Sequence, residues 1–285
     1  MNRYTRIKEP LSLKNKRKKE LELISDSLSS NSNSTLSKFN FSAYKISDVR
    51  KYLKKENHNK CCYCGSILSD SQSFSHIEHY RPKRDDNSLQ LNTKGLGYYW
   101  LAAEWSNLCL SCSVCNNAKG TKFPLSPNSK RFITSRNTYF EEALLINYTE
   151  SDYNPEEHFE FLEGEINGLT QRAEKTILTC KLFRDELVSV RKTKTTWFTR
   201  KCRNFLRDLE RTKNEITNET IEYRKEAFEA LQEFFKEYLK NFPNNKHEFA
   251  ILEQQILRKE IIKSNKSISE IISLLNREDE KISNF

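Results

Sequence analysis

Six of the eight cysteines fall between Cys61 and Cys115, as Cys61-Cys62-Tyr63-Cys64-Gly65 and, further on, Cys109-Leu110-Ser111-Cys112-Ser113-Val114-Cys115. A Cys-x-x-Cys pair places two thiolates on one tight turn, and two such pairs complete a tetrahedral four-sulfur site suited to structural zinc. That reading is preferred to one of buried, unliganded thiols. Its register is ambiguous, because Cys109 with Cys112 is also a Cys-x-x-Cys pair and Cys62 is a spare. Cys61, Cys64, Cys112 and Cys115 are preferred as ligands because Cys115 directly precedes Asn116, a residue with chemistry of its own to offer.

Between the pairs lies His76-Ile77-Glu78-His79-Tyr80-Arg81-Pro82-Lys83. Later come Trp105-Ser106-Asn107-Leu108 and Cys115-Asn116-Asn117-Ala118-Lys119-Gly120. An acid beside a histidine, an Asn-Leu pair, and an asparagine abutting the last cysteine form the layout of an HNH ββα-metal site. Singly, Glu78 reads as a solvated charge, and Asn107 and Asn116 mean little; the ordered set is what is specific. His58, His158 and His247 stand outside it.

Phosphodiester hydrolysis needs a base for water and a cation to neutralise charge on the phosphate and the leaving oxygen. His79 suits the base, since imidazole titrates near neutral pH. Glu78 and Asn116 offer hard oxygens to Mg²⁺ or another divalent ion. Neighbouring strand residues point to opposite faces, so Glu78 and His79 can share a site only at a strand end or bulge. Asn107 is expected to bond loop backbone and support His79. Lys119, one helical turn past Cys115, is a candidate phosphate contact, with Arg81 and His76 as further substrate-binding candidates. A structural role for His76 is an equal expectation.

Elements must position these groups. Helical spacing of Val49, Tyr52 and Leu53 predicts a helix over 47–55. The basic cluster Lys14 to Lys19 belongs to a short helix, and Ser27 to Thr35 reads as a mobile polar loop. Asn154-Pro155-Glu156-Glu157 is a helix start with a capping side chain and proline at the first position. Phe159 to Ile166 resembles a short hairpin, and Arg172 to Arg191 reads as helical. From Thr195 onward the pattern is almost wholly helical. An apolar stripe there runs through Ile221, Ala227, Phe228, Leu231, Phe234, Phe235, Tyr238 and Leu239 to Pro243. Ser267 and Glu270 make a capping box before Ile271, Leu274 and Leu275.

The net charge of +9 favours a polyanionic partner. With 6 glycines in 285 residues, Gly-rich phosphate loops and turn-dense all-β folds are disfavoured. No secretory signal is visible and no apolar run nears the length of a membrane span, so a cytoplasmic protein with no membrane partner is expected. A reducing compartment also favours metal ligation over disulfides.

The cysteine pairs, the His76–Lys83 run, Gly97-Tyr98-Tyr99-Trp100-Leu101-Ala102, Trp105–Leu108, Ser111–Gly120 and Phe123-Pro124-Leu125 together resemble one group. These are the PtuB-like HNH nucleases of Septu-type and retron-linked antiphage systems. The likeness runs from Pro10 through Leu144-Leu145 and Pro155-Glu156-Glu157-His158 to Lys181-Leu182-Phe183-Arg184 and Arg191. The resemblance implies His79 as general base, Glu78 and Asn116 as ligands of the catalytic metal, and the four cysteines as zinc ligands. It also implies a PtuA-like ATPase as partner, with a reverse transcriptase and its RNA–DNA product in retron-linked members. The last HNH position is asparagine here rather than histidine, and the acid is Glu rather than Asp.

The expected fold is α+β and mainly helical: an HNH ββα-metal core with a four-cysteine zinc knuckle, extended by helices at both ends. Residues 1–40 form a basic arm and a Ser/Asn-rich linker, and 41–150 the nuclease core. Residues 151–194 form a mixed segment completing it, and 195–285 a helical region. That last region has no counterpart in the resemblance and either docks on the ATPase, with Trp197 and its apolar faces as contacts, or completes the core. The expected activity is metal-dependent endonucleolytic cleavage of nucleic acid. The alternatives are a non-catalytic, zinc-stabilised nucleic-acid-binding module and a scaffold subunit.

Overall fold

The structure is a computed structural model that describes residues 6–29, 39–68, 74–85, 96–131, 140–211, 229–240 and 246–283. Among these residues it is mainly helical with two small sheets. The chain forms two compact units, one of residues 1–160 with 166–184 and the other of 161–165 with 185–285. No helix among the described residues is long and apolar enough to cross a membrane.

The first unit opens with α1 (Leu11–Ser29), which buries Leu13, Glu20 and Ile24. The Glu20 carboxylate accepts the backbone N–H groups of Ser42 and Ala43 at 2.6 and 2.9 Å, fixing a 3₁₀ turn over Ala43–Lys45. Helix α2 (Ser47–Glu56) follows, burying Val49, Leu53 and Glu56 along one stripe. Asp48 in its first turn and Lys54 and Lys55 in its last match the helix dipole.

Strands β1 (Ser75–His79) and β2 (Leu108–Cys112) are antiparallel, with Ser75 opposite Cys112, Glu78 opposite Cys109 and His79 opposite Leu108. Helix α3 (Ser113–Lys119) begins where β2 ends. It stops at Gly120, whose φ of 52° lies in the region that favours glycine. The chain between the strands returns to the end of β1, where Gly97 and Tyr98 donate to the carbonyls of Lys83 and Pro82. A Cβ at Gly97 would sit 2.2 Å from the Pro82 oxygen, so this approach requires glycine. Beside it a hydrophobic core of the aromatic Tyr80, Tyr98, Trp100 and Phe123 with Leu145 packs the strand end.

Helix α4 (Pro155–His158) is capped by the Asn154 side chain, which accepts from Glu156 N–H. Strands β3 (Phe159–Leu162) and β4 (Glu165–Gly168) pair as the expected hairpin. The helix expected over 172–191 is instead two. Helix α5 (Gln171–Thr179) and α6 (Asp185–Arg211) are separated by a turn in which Lys181 has a φ of 50°. Cys180 and Leu182 are buried in that turn, so it satisfies the apolar periodicity without being helical. The polar stretch expected as a loop from Ser27 is helical through Ser29; its remainder lies outside the described residues.

In the second unit, α6 buries Phe198, Cys202, Phe205 and Leu209 along one face. Phe198 and Phe205 stack on Phe234, and Tyr238 packs on Phe198. Leu231, Phe234 and Tyr238 of the expected stripe are buried, while Ile221, Ala227, Phe228 and Pro243 lie outside the described residues. Helix α7 (Ala250–Lys263) packs on α6, with Glu253 and Glu260 paired to Lys194 and Arg203. Helix α8 (Ile268–Ser283) starts with the capping box, in which Glu270 N–H donates to Ser267 Oγ and Ser267 N–H to the Glu270 carboxylate. Trp197 is 41% exposed, with the ammonium groups of Lys194 and Lys201 over its ring.

Candidate functional site

The four sulfurs of Cys61, Cys64, Cys112 and Cys115 lie within 4.8 Å of one another. Tetrahedral bonds of about 2.3 Å to zinc put sulfurs about 3.8 Å apart, and Cys64 and Cys112 are 3.9 Å apart. The quartet could therefore hold a metal such as zinc. Local backbone explains the geometry. Cys61 N–H donates to Ser66 O and Gly65 N–H to Cys61 O, closing the first turn at a glycine of φ 80°. Cys112 caps α3, its sulfur accepting from Cys115 N–H at 3.4 Å. Hydrogen bonds from Cys112 and Cys115 hold the Cys64 thiol down to about 7. The Arg184 guanidinium donates to Cys115 Sγ at 3.5 Å, placing a positive charge beside the cluster.

The spare cysteines resolve the register. Cys62 and Cys109 are both buried and pair with each other, sulfur to sulfur, at 3.3 Å. Cys62 N–H donates to Leu110 O, which ties the first turn to β2. Burial, followed by the neighbouring Cys109, pushes the Cys62 thiol well up.

Glu78 and His79 end β1, and both are 5% exposed. Their side chains take different neighbours, as the pleat requires. Glu78 Oε1 accepts from Tyr63 OH at 3.2 Å and meets Lys119 Nζ at 2.7 Å. Among the described residues its other oxygen, Oε2, takes no hydrogen bond. His79 Nε2 lies 2.9 Å from the Ala102 carbonyl. That partner accepts only, so Nε2 carries the proton and Nδ1 the lone pair. Lys83 Nζ approaches Nδ1 at 3.3 Å, and the Tyr44 ring stands edge-on to the imidazole at 4.5 Å. Burial and then Lys83 hold the imidazole well below its ordinary range, although the Ala102 bond opposes them. His79 is therefore neutral near pH 7. Burial likewise lowers the Lys83 ammonium to about 8.

Among the described residues Asn107 bonds only backbone: Oδ1 accepts from Arg81 N–H at 2.7 Å, and Nδ2 donates to the carbonyls of Arg81 and Leu101. It thus joins the chain leaving His79 to the loop that carries Ala102. The Arg81 guanidinium meets Glu141 at 3.1 Å and lies over the Phe123 ring. Lys119 is fully buried, donating also to the His79 carbonyl at 2.9 Å. Asn116 is half-buried, its Oδ1 3.5 Å from Ser111 Oγ, and makes no hydrogen bond to Glu78 or His79. His76 is half-buried two residues before Glu78 on β1, opposite Ser111.

Lys83, Tyr44 and Arg184 are among the contacts of the site not expected from the sequence. Lys83 closes the His76–Lys83 run, four residues past His79, and its position is a usable signal. Tyr44 and Arg184 carry no local signal, being brought in from elsewhere in the chain.

With this geometry in view, the chain is similar to the Septu protein PtuB of Bacillus mycoides (strain KBAB4), 39% identical over 164 residues. Over that stretch it is PtuB-like. The match covers 54% of this chain and 53% of the relative, so the chain spans about half the length of that PtuB. The Septu protein PtuB of Bacillus thuringiensis is 32% identical over 73 residues, covering 26% of this chain and 24% of its own. No protein-family model matches the chain, and no solved structure matches it.

Proposed function

We propose that this PtuB-like chain is a metal-dependent HNH endonuclease that hydrolyses phosphodiester bonds of nucleic acid. Its setting is an antiphage defence complex in which a PtuA-like ATPase is the partner. The observation that carries the reading is the state of His79: a buried, neutral imidazole whose Nε2 is fixed by the Ala102 carbonyl, leaving Nδ1 as the basic atom.

In this reading His79 Nδ1 takes the proton from the attacking water. The Ala102 bond holds the ring in the tautomer that this needs. Asn107 braces the backbone on both sides of the imidazole. Glu78 Oε2, which takes no hydrogen bond among the described residues, fits a hard divalent ion, with Asn116 Oδ1 as a second oxygen donor from α3. Such an ion, when bound, neutralises charge on the phosphate and the leaving oxygen. The cysteine quartet, filled with zinc, holds the start of α3 against β2 and so sets Asn116 and Lys119 against β1.

One observation favours a second reading, a non-catalytic zinc-stabilised binding or scaffold subunit. Glu78 already has the Lys119 ammonium, and His79 Nδ1 already has Lys83, so both groups have internal cationic partners. The two readings separate in one experiment. Purified wild type and His79→Ala are incubated with duplex DNA, single-stranded DNA and RNA, with Mg²⁺ or Mn²⁺, with and without the ATPase. The nuclease reading expects wild-type cleavage, reduced about 10²–10⁴-fold in the variant, with zinc content unchanged. Intact nucleic acid under every condition would leave the binding subunit.

A further inference from the structure

An open cleft of about 450 Å³ lies along α2, lined by Lys45, Ile46, Ser47, Arg50, Lys51 and Lys54. Four of its six lining residues are cationic and none is acidic. Ser47, Arg50, Lys51 and Lys54 recur at helical spacing, so they share one face of α2. The acids of the same helix are turned elsewhere. Asp48 accepts from Ser12 Oγ at 2.6 Å, and buried Glu56 pairs with Arg6 at 2.6 Å. A comparable cleft in the same unit, lined by Tyr80, Arg81, Glu141, Glu142, Glu150 and Arg172 among others, carries three carboxylates and is poorly suited to a polyanion.

The basic cleft leads to the candidate site. Lys45 Nζ lies 5.9 Å from the centre of the Tyr44 ring, and that ring is 4.5 Å from the His79 imidazole. Lys83 stands over the same tyrosine at 4.8 Å. Arg50 joins the cleft wall to the start of β1, donating to the Ser75 hydroxyl and carbonyl. A strand of phosphates laid on α2 therefore has one aromatic ring between its last lysine and His79. Aromatic faces and ammonium groups in alternation suit the backbone and bases of a nucleic-acid strand.

We propose that this face of α2 is the track of a nucleic-acid sugar-phosphate backbone, delivering it across Tyr44 to His79. The inference rests on the nuclease reading for its direction, and on the cleft alone for binding. Neither Lys14 to Lys19 nor the stretch from Arg191 to Arg203 is required for it.

The test is fluorescence anisotropy of the full chain with short labelled DNA and RNA strands of one sequence. It is run at several salt concentrations without added Mg²⁺ or Mn²⁺. Lys45→Gln/Lys51→Gln/Lys54→Gln is compared with Lys14→Gln/Lys16→Gln/Lys18→Gln, which removes equal charge from exposed positions of α1. The cleft variant is expected to bind about tenfold more weakly or worse, with a salt dependence shallower by about two to three ions. The α1 variant is expected to bind within about twofold of wild type. Equal losses in the two variants, or none in either, would overturn the assignment. So would displacement of the strand by polyglutamate as readily as by unlabelled DNA, which would make the cleft a seat for acidic protein. A chain that binds through the cleft yet never cuts with Mg²⁺ would retire the nuclease reading and keep this one. A chain that cuts while the cleft variant binds normally would do the reverse.

Discussion

The Lys119 ammonium lies 2.7 Å from Glu78 Oε1, at the end of a side chain that is fully shielded from solvent. The same nitrogen donates to the His79 carbonyl at 2.9 Å. One cation thus ties the last residue of α3 to the last two residues of β1, across the frame that the cysteine quartet closes from the other end. The pair is buried, so its meaning is one of uncompensated charge if either half is removed.

Lys119→Met should therefore destabilise the protein by about 3–5 kcal/mol, because Glu78 is left buried without its cation. Lys119→Met/Glu78→Gln should recover much of that loss. Urea denaturation of both single variants and the double variant gives the coupling energy. A coupling near zero would mean that the two side chains do not depend on each other.

The cysteine register makes a differential prediction. The purified chain should carry about one zinc per molecule by atomic absorption, and Cys112→Ser should lose most of it. Cys62→Ala should keep it, because Cys62 is paired with Cys109 outside the quartet. Strong chelation should lower the melting midpoint of the wild type by about 10 °C or more. Zinc loss in Cys62→Ala equal to that in Cys112→Ser would contradict the quartet.

Asn107 makes three bonds to backbone and is 4% exposed. Asn107→Ala strands those groups and should cost about 3 kcal/mol. Asn107→Asp should not rescue it, since a carboxylate replaces the two donors with an acceptor facing the Arg81 and Leu101 carbonyls. Thermal melting of the two variants beside wild type checks this, and recovery in the aspartate form would show that the donors are unimportant.

His79 sets a direction for pH dependence. Burial and Lys83 depress its folded-state pKa, so below the unfolded value of about 6.5 the unfolded chain takes up the proton more readily. Stability from this group is present above that value and is lost as pH falls toward the depressed one. The denaturation midpoint should fall on acidification below about pH 6.5, less steeply in His79→Asn. Parallel curves for the two proteins would place the titration elsewhere.

Consecutive residues alone determined a good deal here. The pairs Cys61/Cys64 and Cys112/Cys115 are spaced for a shared site, and the structure brings their sulfurs together. Val49 and Leu53 mark α2, Asn154 caps α4, Ser267 and Glu270 box the start of α8, and Phe159 to Ile166 folds back as a hairpin. These features depend on groups within one or two turns, where periodicity and capping chemistry act directly.

Tertiary structure decided what those elements face. Lys119 reads as a surface phosphate contact until α3 is seated, yet it lies one helical turn after buried Cys115 and points inward with it. Tyr44 reaches His79 because α1 holds the turn Ala43–Lys45 through Glu20, and Arg184 reaches Cys115 because Lys181 breaks the helix expected over 172–191. The basic face of α2 becomes a cleft only when Asp48 and Glu56 find partners on the chain before it. Such contacts join residues tens of positions apart, and their energy depends on burial, which a linear pattern of residue types does not encode.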